Sequence, residues 1–219
     1  MKQIIPCLLA LVLVLQANAQ SAKYLPAMEP KVASMDTTRT PASWQELGNG
    51  FERIADAEQT QWLPYYYAAV SNVMMGYMLS NGAPGTVNST QTDQLADKAE
   101  AMLNKAEAIE KDNSDIYCVK KMIATLRMMA DPMTRYQTYG PQAAEALAKA
   151  KTLDPNNPRV YLLEGQDKFF TPEQFGGSKT EAKALFEESI KKFEENKPKT
   201  SISPQWGLTT AKYFLDQAK

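Results

Sequence analysis

"KAKTLDPNNPRVYLLEG", residues 149–165, decides how the rest of this chain is read. An alanine- and lysine-rich stretch with helical spacing runs into Asp154-Pro155-Asn156-Asn157-Pro158, where prolines end one helix and asparagine caps the next. A second amphipathic pattern begins at once, with Tyr161 on its first turn and Gly165 a turn later. Two helices joined by so short a break fold back on each other as an antiparallel pair.

The same layout recurs along the chain. "KAEAIEKDNSDIY", 105–117, aligns with "KAKTLDPNNPRVY", 149–161, at an offset of 44, so that Lys105/Lys149, Ala106/Ala150, Ile109/Leu153, Asn113/Asn157 and Tyr117/Tyr161 coincide. Upstream, "RIADAEQTQWLPY" ends in the same way at Tyr65, 52 residues before Tyr117. Downstream, "ESIKKFEENKP" repeats the helix end, and Trp206 stands 45 beyond Tyr161. Self-similarity at such a period marks a repeat array, in which each unit buries its apolar face only against its neighbours.

Between these anchors helical periodicity dominates from residue 43 onward, and no alternating strand pattern appears. "SWQELGNGFERIADAE" carries Trp44, Leu47, Phe51, Ile54 and Ala55 at helical steps, and is expected to start at a Ser43 cap with Glu46 as its capping-box partner. Further helices are expected at 62–80, 92–112, from Ser114 to just before Pro132, at 141–154 with Pro141 in the first turn, from Pro158, at 179–196 and across 204–218. The stretch 81–90 reads as a loop, and 131–140 as a connection. Residues 20–42 hold Pro26, Pro30 and Pro41 and allow one short helix.

The window with Asp154, Pro155, Asn156, Asn157, Tyr161 and Gly165 resembles the tetratricopeptide repeat. "WLPYYYAA" together with "FFTPEQFGGSKTEAKALFEESI" is similar to a group of secreted tetratricopeptide-like proteins of Bacteroidetes-type bacteria, a resemblance that brings no activity with it. The first implies an all-α fold over 43–219: antiparallel helix pairs stacked as a short right-handed array, with units stretched beyond the usual length of about 34 residues. It also implies that the first helix of each unit lines a concave groove. With Trp62, Ser114 and Pro158 as equivalent starts, the inward positions are Leu63, Tyr66, Val70 and Val73; Asp115, Cys118, Met122 and Thr125; and Arg159, Leu162, Gln166 and Phe169.

Such a groove is largely apolar. It suits a protein or peptide segment, making the chain a binding scaffold, or alternatively a small apolar ligand or lipid, making it a carrier that works beside a transporter. Capture of a peptide carboxylate needs several cations, and Arg159 alone fits. Short arrays also close their grooves with their own terminal segments, in which case these stripes are core. The helix at 62–80 sharpens the choice: Tyr66, Val70, Val73 and Tyr77 form one apolar stripe, Tyr67, Met74 and Met78 a second, and Ala69, Gly76 and Leu79 a third. A helix apolar all round is sandwiched. Its groove side must be covered by the N-terminal segment, the last helix, a second subunit or a ligand. Within the tyrosine triplet, alignment makes Tyr65 the repeat's packing aromatic, Tyr66 the groove residue and Tyr67 the contact to helix 43–58.

Composition narrows the chemistry. Histidine is absent from all 219 residues, which removes Ser-His-Asp and Cys-His catalysis and the usual histidine-bearing zinc sites. Lys2, "IIPCLLALVLVL" and "ANA" before Gln20 read as a secretory leader cleaved near Ala19, which sends the product to the periplasm or beyond. Cleavage removes Cys7 and leaves Cys118 alone, a thiol with no partner for an internal disulfide, read as buried and inert. It also removes Lys2, leaving 23 basic against 25 acidic residues, a balance that holds neither nucleic acid nor anionic lipid. No second membrane-length apolar run follows. The pairs Glu187-Glu188 and Glu194-Glu195 lie on a lysine-rich face and read as solvated. No cofactor, metal or catalytic set is expected.

Overall fold

The computed structural model describes residues 21–80 and 88–218, so the expected leader lies outside it. Nine α-helices make up the described chain, with no strand among the described residues: α1 Tyr24–Ser34, α2 Pro41–Ala57, α3 Trp62–Leu79, α4 Ser89–Ile109, α5 Ser114–Ala130, α6 Pro132–Leu153, α7 Pro158–Phe170, α8 Lys179–Glu195 and α9 Leu208–Gln217. The all-α reading therefore holds. The equivalent starts Trp62, Ser114 and Pro158 are the observed first residues of α3, α5 and α7.

Side-chain caps write most of the junctions. Asn88, Asn113, Asn157 and Ser178 stand just before α4, α5, α7 and α8, and each accepts from first-turn N–H groups that have no partner inside the helix. Three helix starts before α7 depart from expectation, and the last helix, α9, starts at Leu208 and not at 204. Thr40, not Ser43, caps α2: its Oγ1 accepts from the Ser43 N–H at 3.1 Å, and Pro41 takes the first helical position, where a missing N–H costs nothing. Asn88 starts α4 three residues early. The third difference is the largest, because α6 begins at Pro132, not Pro141. Asp131 caps that earlier start through the Thr134 N–H, and Pro141 is carried inside the helix. The carbonyl of Gln137 that loses its N–H partner belongs to an exposed residue, so water satisfies it.

Packing separates the helices into two rows. Consecutive helices pack as neighbours, and the odd-numbered ones also touch each other, α3 on α5, α5 on α7 and α7 on α9, while the even-numbered ones do not to any comparable degree. The odd row is therefore the inner one. Close approach between α3 and α5 needs Gly76, where an added Cβ would lie 2.6 Å from Leu126 Cδ2. A repeated contact ties each inner helix to the next outer one: Lys105 of α4 lies 5.5 Å from the Tyr65 ring centre, Lys149 of α6 lies 5.9 Å from Tyr117, and Lys192 of α8 lies 4.9 Å from Tyr161. Tyr65 is thus the repeat's packing aromatic.

The array is not uniform. One large core runs from α1 through α6 and takes in Val160, Leu163 and Ile202, whereas Leu162, Ala182, Phe186, Ala211 and Ala218 form a second core among α7, α8 and α9. Contact across the α6–α7 step is thin. Polar groups fill the seam there: Asn157 Nδ2 donates to Ser114 Oγ at 3.0 Å and to Asp115 Oδ1 at 2.8 Å, and Ser114 Oγ donates to the Ala150 carbonyl at 2.8 Å.

Candidate functional site: the inner face of the odd helices

Seven of the nine expected groove residues, Tyr66, Val70, Val73, Cys118, Met122, Arg159 and Leu162, are buried; Gln166 and Phe169 stay half-buried. The cover is the chain itself. Residues 200–207, just before α9, lie across the first half of the face: Trp206 Nε1 donates to the Tyr66 hydroxyl at 2.8 Å, Arg159 reaches the Trp206 carbonyl at 3.4 Å, and the Tyr67 hydroxyl donates to the Ile202 carbonyl at 2.8 Å. Gly207, at φ +114°, brings backbone against Leu162 and Phe193. Ser201 Oγ ties the strap to Glu29 of α1 at 2.6 Å, so the N-terminal segment joins the array. Tyr67 stacks on Phe51 of α2 at 5.0 Å, the neighbour expected for it.

Beneath the strap the polar groups are paired and locked. Arg159 Nε donates to Asp115 Oδ1 at 2.6 Å. Burial opposes the charge on Arg159, but Asp115 more than offsets it and the guanidinium pKa ends above its ordinary value. Burial, with Asp115 adding to it, raises the Cys118 thiol, and burial likewise raises the phenols of Tyr66, Tyr67 and Tyr77. Cys118, Tyr66 and Tyr67 have no exposed surface, and the Tyr77 hydroxyl is engaged with the Met122 carbonyl. Among the described residues no group of three or more histidine, cysteine or acidic side chains is placed to hold a metal ion.

At the end of α7 the face is only partly covered, by α9. Phe169 and Phe170 at the end of α7 pack edge-on with centres 5.2 Å apart, and both meet Phe214 of α9, at 5.6 and 5.4 Å. Phe186 of α8 stacks on Phe214 from behind at 5.6 Å. Yet Phe170 and Tyr213 are each 60% exposed, so a supported ring cluster turns part of its surface to solvent. Beside it, Tyr77 donates to the Met122 carbonyl at 2.9 Å, and Lys121 of α5, its side chain 2% exposed, pairs at 2.6 Å with Asp167 of α7, 49% exposed.

Sequence reasoning missed Lys121, Asp167, Phe170, Tyr213 and the strap. The signal for Lys121 is its three-residue step from Cys118, which turns it to the same side of the helix. Phe170 follows Phe169 by one step and so falls off the groove stripe. Elsewhere, a cleft of about 460 Å³ lies between α4, α5 and α6; of its lining cations, Arg127 is paired with Asp97 and Glu100, and Lys120 with Glu107. No helix among the described residues is long and apolar enough to cross a membrane.

No family model and no curated protein matches the chain. A solved structure does: the HusA haemophore from Porphyromonas gingivalis, with a TM-score of 0.79 at 33% sequence identity, over 92% of this chain and 95% of that one.

Proposed function

The chain belongs to the family of the HusA haemophore, and on that footing we propose that it is a secreted carrier of haem-class cargo, a flat and largely apolar tetrapyrrole gripped by ring faces instead of by coordination to its iron. The observation that carries this reading is the ring cluster at the end of α7, where half-buried Phe169 and Phe214 support the exposed rings of Phe170 and Tyr213. Offset and edge-on contacts with such rings suit a planar aromatic guest. Coordination has little support, since histidine is absent and Cys118, Tyr66 and Tyr67 have no exposed surface. The alternative guest, a protein or peptide segment in the groove, would have to enter where residues 200–207 already lie, which favours a small cargo.

Titration of the chain from residue 20 onward with haemin and with iron-free protoporphyrin, followed by the Soret band and tryptophan quenching, tests the proposal. Both ligands are expected to saturate, with dissociation constants within about tenfold of each other. Phe170→Ala should weaken both by about two- to twelvefold, the equivalent of one aromatic contact of about 0.5–1.5 kcal/mol. Saturation by the iron form alone, or by neither, overturns the reading.

A further inference from the structure

We propose that Lys121 reads a carboxylate on the cargo, and that Asp167 occupies its ammonium until the ligand's acid group takes that place. The inference rests on the carrier reading and names the chemistry the carrier selects: a flat apolar ring with at least one free carboxylate on its edge.

The asymmetry of the pair is the starting point. The Lys121 side chain is only 2% exposed, and an unpaired ammonium at that depth is strongly unfavourable, so its charge needs a carboxylate against it. Its one ion-pair partner among the described residues is Asp167, whose side chain is 49% exposed. The other buried pair on this face is built differently. Asp115, the partner of Arg159, is 17% exposed and is held in place by Asn157 as well. That pair is fixed, whereas the carboxylate on Lys121 is half exposed, and its second oxygen has no hydrogen-bond partner among the described residues.

Position supplies the second argument. Asp167 precedes Phe170 by one helical turn, about 4.5 Å along the α7 axis. Tyr77 of α3 donates to the carbonyl of Met122, the residue after Lys121, so α3, α5 and α7 meet around the pair. A ring lying on Phe170 would therefore present its edge toward the Lys121–Asp167 pair. The exchange balances: one carboxylate leaves a single ammonium, another arrives, the buried charge is unchanged, and Asp167 returns to water.

Protoporphyrin IX and its dimethyl ester, titrated against the wild-type chain and the variants Lys121→Met and Asp167→Asn, test this. The diacid is expected to bind the wild type at least about tenfold tighter than the diester, the scale of a hydrogen bond to a charged group. Lys121→Met should bring the two affinities together while leaving the diester's unchanged. Asp167→Asn, which removes the competitor, should tighten the diacid alone. Equal binding of acid and ester by the wild type, or a preference that survives Lys121→Met, overturns the role of Lys121 and leaves the carrier reading standing. Failure of both porphyrins to bind overturns the carrier reading and this inference with it. Circular dichroism checks each fold, and if Lys121→Met does not fold, an unchanged diacid affinity in Asp167→Asn is decisive against the proposal.

Discussion

At the scale of single residues, the tyrosine triplet at 65–67 shows how one helix serves three neighbours. Successive residues turn by about 100°, so Tyr65 meets a lysine of α4, Tyr66 meets the strap and Tyr67 meets Phe51. The Tyr66 hydroxyl is fully covered, and the indole N–H of Trp206 is the donor that satisfies it. Trp206→Phe keeps an aromatic side chain there and deletes that donor, which should cost about 1–3 kcal/mol. For a chain of this size that is a fall in Tm of about 2–4 °C per kcal/mol, measurable by thermal melting. An unchanged Tm would mean the strap is held by its other contacts alone.

Among elements, the inner helices depend on close approach. Gly76→Ala would drive a methyl into Leu126, which is itself fully buried and has no room to withdraw, so overpacking should cost about 1–3 kcal/mol in chemical denaturation. A second element-level contact gives a pH signature. Arg135 near the start of α6 grips Asp93 of α4 through both carboxylate oxygens, at 2.6 and 2.9 Å. The hydrogen bonds from Arg135 hold the Asp93 carboxyl below its ordinary range. A depressed pKa adds stability above the unfolded value of about 3.9, and that stability is lost as pH falls through the folded value. Arg135→Gln should therefore lower Tm at pH 7 and narrow the gap to wild type below pH 4; a gap independent of pH would separate Arg135 from Asp93. How far these elements were legible in the sequence depended on what specifies them. Asn113 and Asn157 are local caps, and they placed the starts of α5 and α7 to the residue. Pro141 misled because a proline inside an exposed helical turn and one at a helix start look alike locally. The groove stripe was legible as periodicity, and so was its need for a cover; which residues supply the cover was not. Residues 200–207 contact Tyr66 and Tyr67 from more than 130 positions away, and no local pattern encodes a contact at that separation.

At the level of the molecule, two cores joined through a polar seam make two units of unequal strength. The larger spans α1 to α6 and the smaller α7 to α9, with Asn157, Ser114, Asp115 and Arg159 between them. Native-state hydrogen exchange should resolve them, with amides of α8 and α9 exchanging through a lower-energy opening than those of α3 and α5. Identical opening energies throughout would show the seam to be as cohesive as the cores. The aromatic ledge lies on the smaller unit, so cargo that binds there should slow its exchange first. The strap has a further consequence, for the order in which the chain is made. Its hydrogen bonds run from Ile202 to Tyr67 and from Ser201 to Glu29, pairs separated by 135 and 172 residues. A polypeptide emerging N-terminus first leaves the apolar side of α3 bare until residues 200–207 appear, and only then can they close over it with α1. During that interval an all-apolar helix is the part of the nascent protein most in need of a chaperone.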